Sequence, residues 1–123
     1  MGMKKTLVLG ASLNPERYSN IALKMLSQRS IEAVGFGPKS GEAYGVPIVS
    51  DLELLKEQDI DTVSLYVRAA LQTDYYNFIL ELKPDRVIFN PGTENPELSL
   101  LLEAAGIKAE VACTLVLLTT GVY

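Results

Sequence analysis

The chain has no histidine and a single cysteine, Cys113, among its 123 residues. The missing histidine removes the commonest general base, every Ser-His-Asp or Cys-His arrangement, and any phosphohistidine intermediate. One cysteine allows no internal disulfide and no zinc motif, so no metal site is expected. Cys113 sits in an apolar stretch with no flanking base, which reads as a small buried hydrophobe rather than a thiolate. No apolar run is long enough to span a bilayer. Met1-Gly2-Met3-Lys4-Lys5 is followed only by a strand-length apolar stretch without a small-residue cleavage site. No signal peptide is therefore expected, and the cytoplasm is the expected compartment. Eleven basic against fifteen acidic residues give a net charge of −4. That balance lacks the basic excess that nucleic-acid binding needs, so neither nucleic acid nor membrane is an expected partner. It leaves room for a small anionic ligand held by a few amides and a lysine.

Glycine is also scarce where an α/β nucleotide fold would normally place it. Leu7-Val8-Leu9-Gly10 reads as a buried strand running into Ala11-Ser12-Leu13-Asn14-Pro15-Glu16-Arg17-Tyr18-Ser19 and then a helical pattern. This is a strand–turn–helix entrance of the phosphate-binding kind. Gly10 fits the first glycine of the dinucleotide fingerprint, but Ser12 and Pro15 replace the next two. A loop that keeps the position and changes the chemistry points to a ligand other than an ordinary dinucleotide.

Behind that loop, apolar runs alternate with amphipathic ones across 123 residues, the size of one domain with a real core. Strands are predicted at 6–9, 33–36, 62–67, 86–89 and 108–111. Helices are predicted at about 19–28, from a Ser50/Glu53 capping box, at 71–82, and from Asn95-Pro96-Glu97 to a Gly106 cap. Val46-Pro47-Ile48-Val49 is expected to be at most an edge strand, because Pro47 cannot donate to a ladder. The 113–120 segment is compatible with a strand or a short buried helix. The expected architecture is a single Rossmann-like α/β domain over 1–123. Its doubly wound parallel sheet has about five strands in the order 3-2-1-4-5, with helices on both faces. Ligand is then expected at the carboxyl ends of the first and fourth strands, where the order reverses.

The loops at that edge carry the candidate site residues. In the first, backbone at Gly10, Ala11 and Ser12 and the helix N-terminus can hold a phosphate, with Arg17 adding a charge-assisted bond. Ser12 and Asn14 equally suit turn backbone, and Ser19 suits either a ligand hydroxyl contact or a helix cap. The second loop, Gly37-Pro38-Lys39, lacks the acid that binds ribose hydroxyls in an NAD site. Lys39 instead suits a phosphate near the ribose, as in coenzyme A or NADP, or is a solvated loop lysine. In Tyr66-Val67-Arg68-Ala69-Ala70, Tyr66 either lies along an adenine or packs at a strand end, and Arg68 is a second phosphate contact. In Asn90-Pro91-Gly92-Thr93-Glu94-Asn95, Gly92 permits a tight turn or close backbone approach, and Glu94 is the best candidate for any acid/base work. Tyr75, Tyr76 and the apolar C-terminus offer a homodimer surface.

Taken together, Val8-Leu9-Gly10-Ala11-Ser12 with Asn14-Pro15 and Arg17-Tyr18-Ser19, then Pro38-Lys39, Gly45-Val46-Pro47-Ile48-Val49, Val63 to Val67 and Asn90 to Asn95 resemble a known family. The chain resembles the small stand-alone CoA-binding proteins. Their fold is similar to the CoA-binding domain of the succinyl-CoA synthetase α subunit. The resemblance implies coenzyme A or an acyl-CoA as ligand. Gly10, Ala11 and Ser12 would meet a phosphate, Lys39 the phosphoadenosine end, and Tyr66 to Ala70 the adenosine. The Asn90 to Glu94 loop would face the pantetheine arm. Arg68 stands where the synthetase domain has proline, and the synthetase's second domain and phosphorylated histidine are missing. Its activity is therefore not implied. The expectation is a binding or regulatory protein, with an NADP-dependent or acyl-CoA-using enzyme, or a subunit completed by a partner, as the alternative.

Overall fold

A computed structural model describes residues 5–123. The Met1–Lys4 part of the segment weighed above as a leader lies outside the described residues. Seven strands form one sheet: β1 Lys5–Leu9, β2 Glu32–Phe36, β3 Gly41–Ala43, β4 Val46–Val49, β5 Thr62–Leu65, β6 Arg86–Phe89 and β7 Lys108–Val111. Their order is β3-β4-β2-β1-β5-β6-β7, and every pair is parallel except the β3–β4 hairpin. The helices are α1 Tyr18–Gln28, α2 Ala69–Gln72, α3 Tyr76–Leu82, α4 Pro96–Ala104 and α5 Thr114–Thr119.

Period-two patterning assigns the faces. Leu7, Leu9, Val34, Val63, Leu65, Val87 and Phe89 pack under Phe78 and Ile79 of α3 and Leu98 and Leu102 of α4. Val8, Ala33 and Ile48 point the other way, against Leu23 and Leu26 of α1 and Leu118 of α5. The fold class is thus the expected doubly wound α/β sheet. The strand count and order need correction. The 62–65 strand pairs with β1 and not outside β2, so the order reverses between β1 and β5 and places the ligand edge there. It also ends at Leu65, two residues before the expected end.

Other differences are local. Val46–Val49 is an inner strand, because β3 folds back over it. Pro47 faces Glu42 of β3, while only Ile48 and Val49 pair with β2. The Ser50/Glu53 capping box does not form. Asp51 is the cap, its Oδ1 accepting from the Glu53 amide at 3.0 Å, and the helix is one 3-10 turn over Leu52–Leu55. The 71–82 helix is split into α2, a 3-10 turn over Thr73–Tyr75, and α3. Helix α1 begins at Tyr18 with Arg17 as its cap position, so Ser19 is not a cap. Asn95, Pro96 and Gly106 behave as expected: Asn95 Oδ1 accepts from the Leu98 amide at 3.2 Å, and Gly106 has φ +81° just after α4. The 113–120 segment is the short helix.

The seam between β1 and β2 is tight at its carboxyl end. A Cβ built on Gly37 would lie 2.2 Å from the Ala11 carbonyl oxygen, and one on Gly35 would lie 2.7 Å from the Ala11 Cβ. The obstacle at Gly37 is backbone and cannot rotate away. Gly37→Ala is therefore expected to cost about 1–3 kcal/mol by overpacking, measured by urea unfolding. A cost below about 0.5 kcal/mol, the scatter of ordinary surface changes, would show that the seam has slack.

Candidate functional site

Gly10 follows β1 with φ +101°, a conformation that glycine reaches without strain. The chain there turns back on β2, so that the Gly10 and Ala11 amides both donate to the Phe36 carbonyl, at 2.9 and 2.8 Å. These two amides are consumed by the fold. The loop then closes on itself: the Asn14 amide donates to Ser12 Oγ at 3.1 Å, and the Glu16 amide to Asn14 Oδ1 at 3.0 Å. The Arg17 amide donates to the Asn14 carbonyl at 3.1 Å. The Ser12, Leu13, Tyr18 and Ser19 amides have no protein acceptor among the described residues. They border one concavity, with the first turn of the eleven-residue α1 and its positive dipole end behind two of them.

That concavity is a cleft of about 750 Å³ at the carboxyl edge of the sheet. It joins Gly10, Ala11, Ser12, Arg17, Ser19, Lys39, Tyr66, Arg68, Pro91 and Gly92 from four loops. Ten of the twelve binding residues expected from sequence are thereby brought together. Lys39, Arg17 and Arg68 are exposed, with their charges at the mouth. Lining residues not among those twelve are Leu13, Asn14, Glu16, Tyr18, Pro38 and Thr93. Tyr18 is 71% exposed, a bare aromatic face at the rim. Its signal was available: an aromatic residue in the first turn of the helix that follows a phosphate loop. Glu16 is the one carboxylate in the lining, and it sets a negative charge against the three cations.

Two expected residues lie outside the cleft. Val67 packs against the core beneath Gly10. Asn90 is 1% exposed and acts as a three-way clamp. Its Nδ2 donates to Ser64 Oγ at 2.9 Å and to the Leu65 carbonyl at 2.8 Å, while its Oδ1 accepts from the Thr114 amide at 2.8 Å. Asn90 thus satisfies the first amide of α5 and fastens it over β5 and β6. Gln72, fully buried and not foreseen, fastens the neighbouring loops. Its Nε2 donates to the Val67 and Thr93 carbonyls at 2.7 and 2.8 Å, and its Oε1 accepts from Asn95 at 2.9 Å. Glu94 does not line the cleft. Its carboxylate accepts from the Gly92 amide at 2.9 Å and closes the turn.

Tyr66 lines the cleft and packs against the core that includes Val8 and Leu118, while its hydroxyl is buried without a hydrogen-bond partner among the described residues. The nearby Ser64 and Thr114 hydroxyls are bonded to each other at 2.8 Å. Burial first, and the Cys113 thiol second, push the Tyr66 phenol up to about 12, while the nearby Ser64 and Thr114 hydroxyls, though outside hydrogen-bond geometry, act the other way.

A second cleft, of about 360 Å³, lies at the opposite edge of the sheet among Thr6, Arg29, Asp61, Arg86 and Tyr123. Arg86 there is spent on packing: it donates to Thr62 Oγ1 at 3.0 Å, lies 4.5 Å from the centre of the Tyr123 ring, and faces Glu110 at 3.6 Å.

Comparison with known proteins assigns the chain to a family. Residues 4–119 match the model of the CoA binding domain family, and the chain belongs to that family. A crystal structure described as an uncharacterized protein is 42% identical over 100% of both chains, with a TM-score of 0.88. A conserved hypothetical protein from Pyrococcus furiosus is 27% identical over 93% of this chain and 98% of its own, with a TM-score of 0.78. The dinucleotide-forming acetyl-coenzyme A synthetase 1 of Ca. Korarchaeum cryptofilum shares the fold at a TM-score of 0.67 and 15% identity. That match covers 90% of this chain and 26% of the synthetase. No curated protein matches. The family assignment supports coenzyme A binding. Among the described residues no helix is long and apolar enough to cross a membrane.

Tyr66 generates a pH prediction. A phenol raised to about 12 stays neutral in the folded state while the unfolded chain ionises near its ordinary value of 10. Its contribution to stability is complete below pH 10 and is lost as pH rises towards 12. Tyr66→Phe should flatten the fall in unfolding free energy between pH 10 and 12 without loss at pH 7, because the hydroxyl removed there has no partner. Equal slopes in wild type and variant would contradict the assignment.

Proposed function

We propose that this protein binds coenzyme A or an acyl-CoA at the carboxyl edge of the sheet, as a binding or regulatory protein. The observation that carries the reading is the convergence of four unpaired amides with Arg17, Lys39 and Arg68 in one cleft. Coenzyme A has a pyrophosphate and a separate ribose phosphate, and the cleft offers cationic groups on more than one loop for them. The amides of Ser12, Leu13, Tyr18 and Ser19 suit the pyrophosphate, since directed N–H donors at a helix start bind anions without a protonation cost. Lys39, on the loop after β2, suits the ribose phosphate. Tyr18 gives an aromatic surface for the adenine, Tyr66 lines the same cleft, and the Pro91-Gly92-Thr93 turn borders the path of the pantetheine arm.

The reading as a binding protein rests on where Glu94 is. The acid/base candidate is folded onto the Gly92 amide and is not among the residues that line the cleft. NADP is the second reading, because Lys39 and Arg68 also suit a ribose 2′-phosphate.

Calorimetry with coenzyme A, acetyl-CoA, 3′-dephospho-CoA and NADP separates these readings. Coenzyme A should bind, and Lys39→Ala should weaken it by about 1.5–3 kcal/mol, the worth of a charge-assisted hydrogen bond. Dephospho-CoA should bind more weakly to wild type and be nearly indifferent to the substitution. Binding of NADP but not coenzyme A would transfer the site to the second reading. No binding of any CoA species at high micromolar concentration would overturn the proposal.

A further inference from the structure

The β3–β4 hairpin turns through Tyr44 and Gly45, between the paired residues Ala43 and Val46. Both turn residues have positive φ, +56° and +79°. A two-residue turn with two positive φ values is the tight hairpin turn in which asparagine, aspartate or glycine is favoured at the first position. A tyrosine backbone in that region is strained, and strain of this kind persists where the side chain gains something that a turn residue would not.

What Tyr44 gains is a connection to the phosphate loop. Its hydroxyl donates to Asn20 Oδ1 at 2.5 Å, and Asn20 Nδ2 donates to the Ser12 carbonyl at 2.9 Å. The orientation of the amide is fixed by chemistry. A carbonyl only accepts, so the nitrogen of Asn20 must face Ser12, which leaves its oxygen for the Tyr44 hydroxyl. Asn20 is 2% exposed, so its oxygen depends on Tyr44 for a donor. The turn is secured at its other side by Ser27, whose Oγ donates to the Tyr44 carbonyl at 2.8 Å. The hairpin also touches the loop directly: a Cβ on Gly41 would lie 3.2 Å from the Leu13 side chain.

The consequence falls on one peptide group. The Ser12 carbonyl and the Leu13 N–H share a planar trans peptide and point in opposite directions. Holding that carbonyl inward, on Asn20, turns the Leu13 N–H outward, and this is one of the four amides left without a protein acceptor. We propose that Tyr44 is a positioning residue for the ligand site, acting through Asn20 to orient the Ser12–Leu13 peptide. Its effect on affinity rests on the coenzyme A reading; its effect on the peptide does not.

Tyr44→Phe keeps the ring and removes only the donor. Two measurements test the proposal in the full chain. In the first, the NMR resonance of the Leu13 amide is followed without ligand, since its shift reports the hydrogen bond on the Ser12 carbonyl of the same peptide. It should move in Tyr44→Phe, and an unmoved resonance overturns the proposal. In the second, coenzyme A affinity should fall roughly two- to tenfold, the worth of one neutral hydrogen bond. In an Asn20→Ala background the same change should have no further effect, because the connection is already cut. Unchanged affinity, or an equal loss in both backgrounds, overturns the positioning role. If wild type itself does not bind coenzyme A, the ligand assignment fails, and the Leu13 resonance alone then decides the relay.

Discussion

The β1–β2 seam depends on one carbonyl. Phe36 accepts from both the Gly10 and Ala11 amides, and Ala11 is pressed against Gly35 through its Cβ and against Gly37 through its backbone so closely that neither position has room for a methyl group. This fixes where the chain leaves β1. It also decides which amides are available for a ligand. The two nearest the strand are used by the fold, and the free ones come later, at Ser12, Leu13 and the first turn of α1. The missing glycines of the dinucleotide fingerprint then have a physical reading. The loop is shaped by side-chain bonds within it, from Ser12 and Asn14, and by Asn20 beneath it. Conformational freedom at every turn position is not required.

The opposite wall is built by a different device. Asn90, Ser64, Thr114, Gln72 and Asn95 form buried hydrogen bonds that join β5, β6 and the starts of α4 and α5. Fully paired buried networks of this kind rigidify the loops they join. The cleft therefore lies between two anchored walls, a backbone seam on one side and a side-chain network on the other. Its cationic groups, Arg17, Lys39 and Arg68, stand on the solvent side. A small acidic protein can in this way present a local cationic mouth despite a net charge of −4.

Local signals were legible in the sequence, and partners distant in the chain were not. The alternation of apolar runs gave the α/β class, and Asn95-Pro96 marked the start of α4, because both depend on neighbours in the chain. The strand order was not legible. Whether 62–65 lies beside β1 or beyond β2 depends on which edge the crossover returns to, and the β3–β4 hairpin already occupies the β2 side. Asn90 looked like a ligand residue because it follows a strand at the binding edge. Its partners, 24 to 26 residues away, make it a clamp. The same long-range bond explains why 113–120 could not be assigned: its β-branched residues favour a strand, but Asn90 supplies the missing cap of a helix. The backbone at Gly10 and Ala11 lines the cleft, but its amides are turned to Phe36.

The central claim concerns which backbone donors face the ligand. A ¹⁵N–¹H NMR titration with coenzyme A tests it most directly, because it reads each amide separately. The account predicts that the Ser12, Leu13, Tyr18 and Ser19 amide resonances shift together and saturate, while those of Gly10 and Ala11, held by Phe36, move least among the residues of the loop. Saturating shifts centred on Arg29 and Arg86 at the other edge of the sheet, or a loop in which Gly10 and Ala11 respond most, would contradict it.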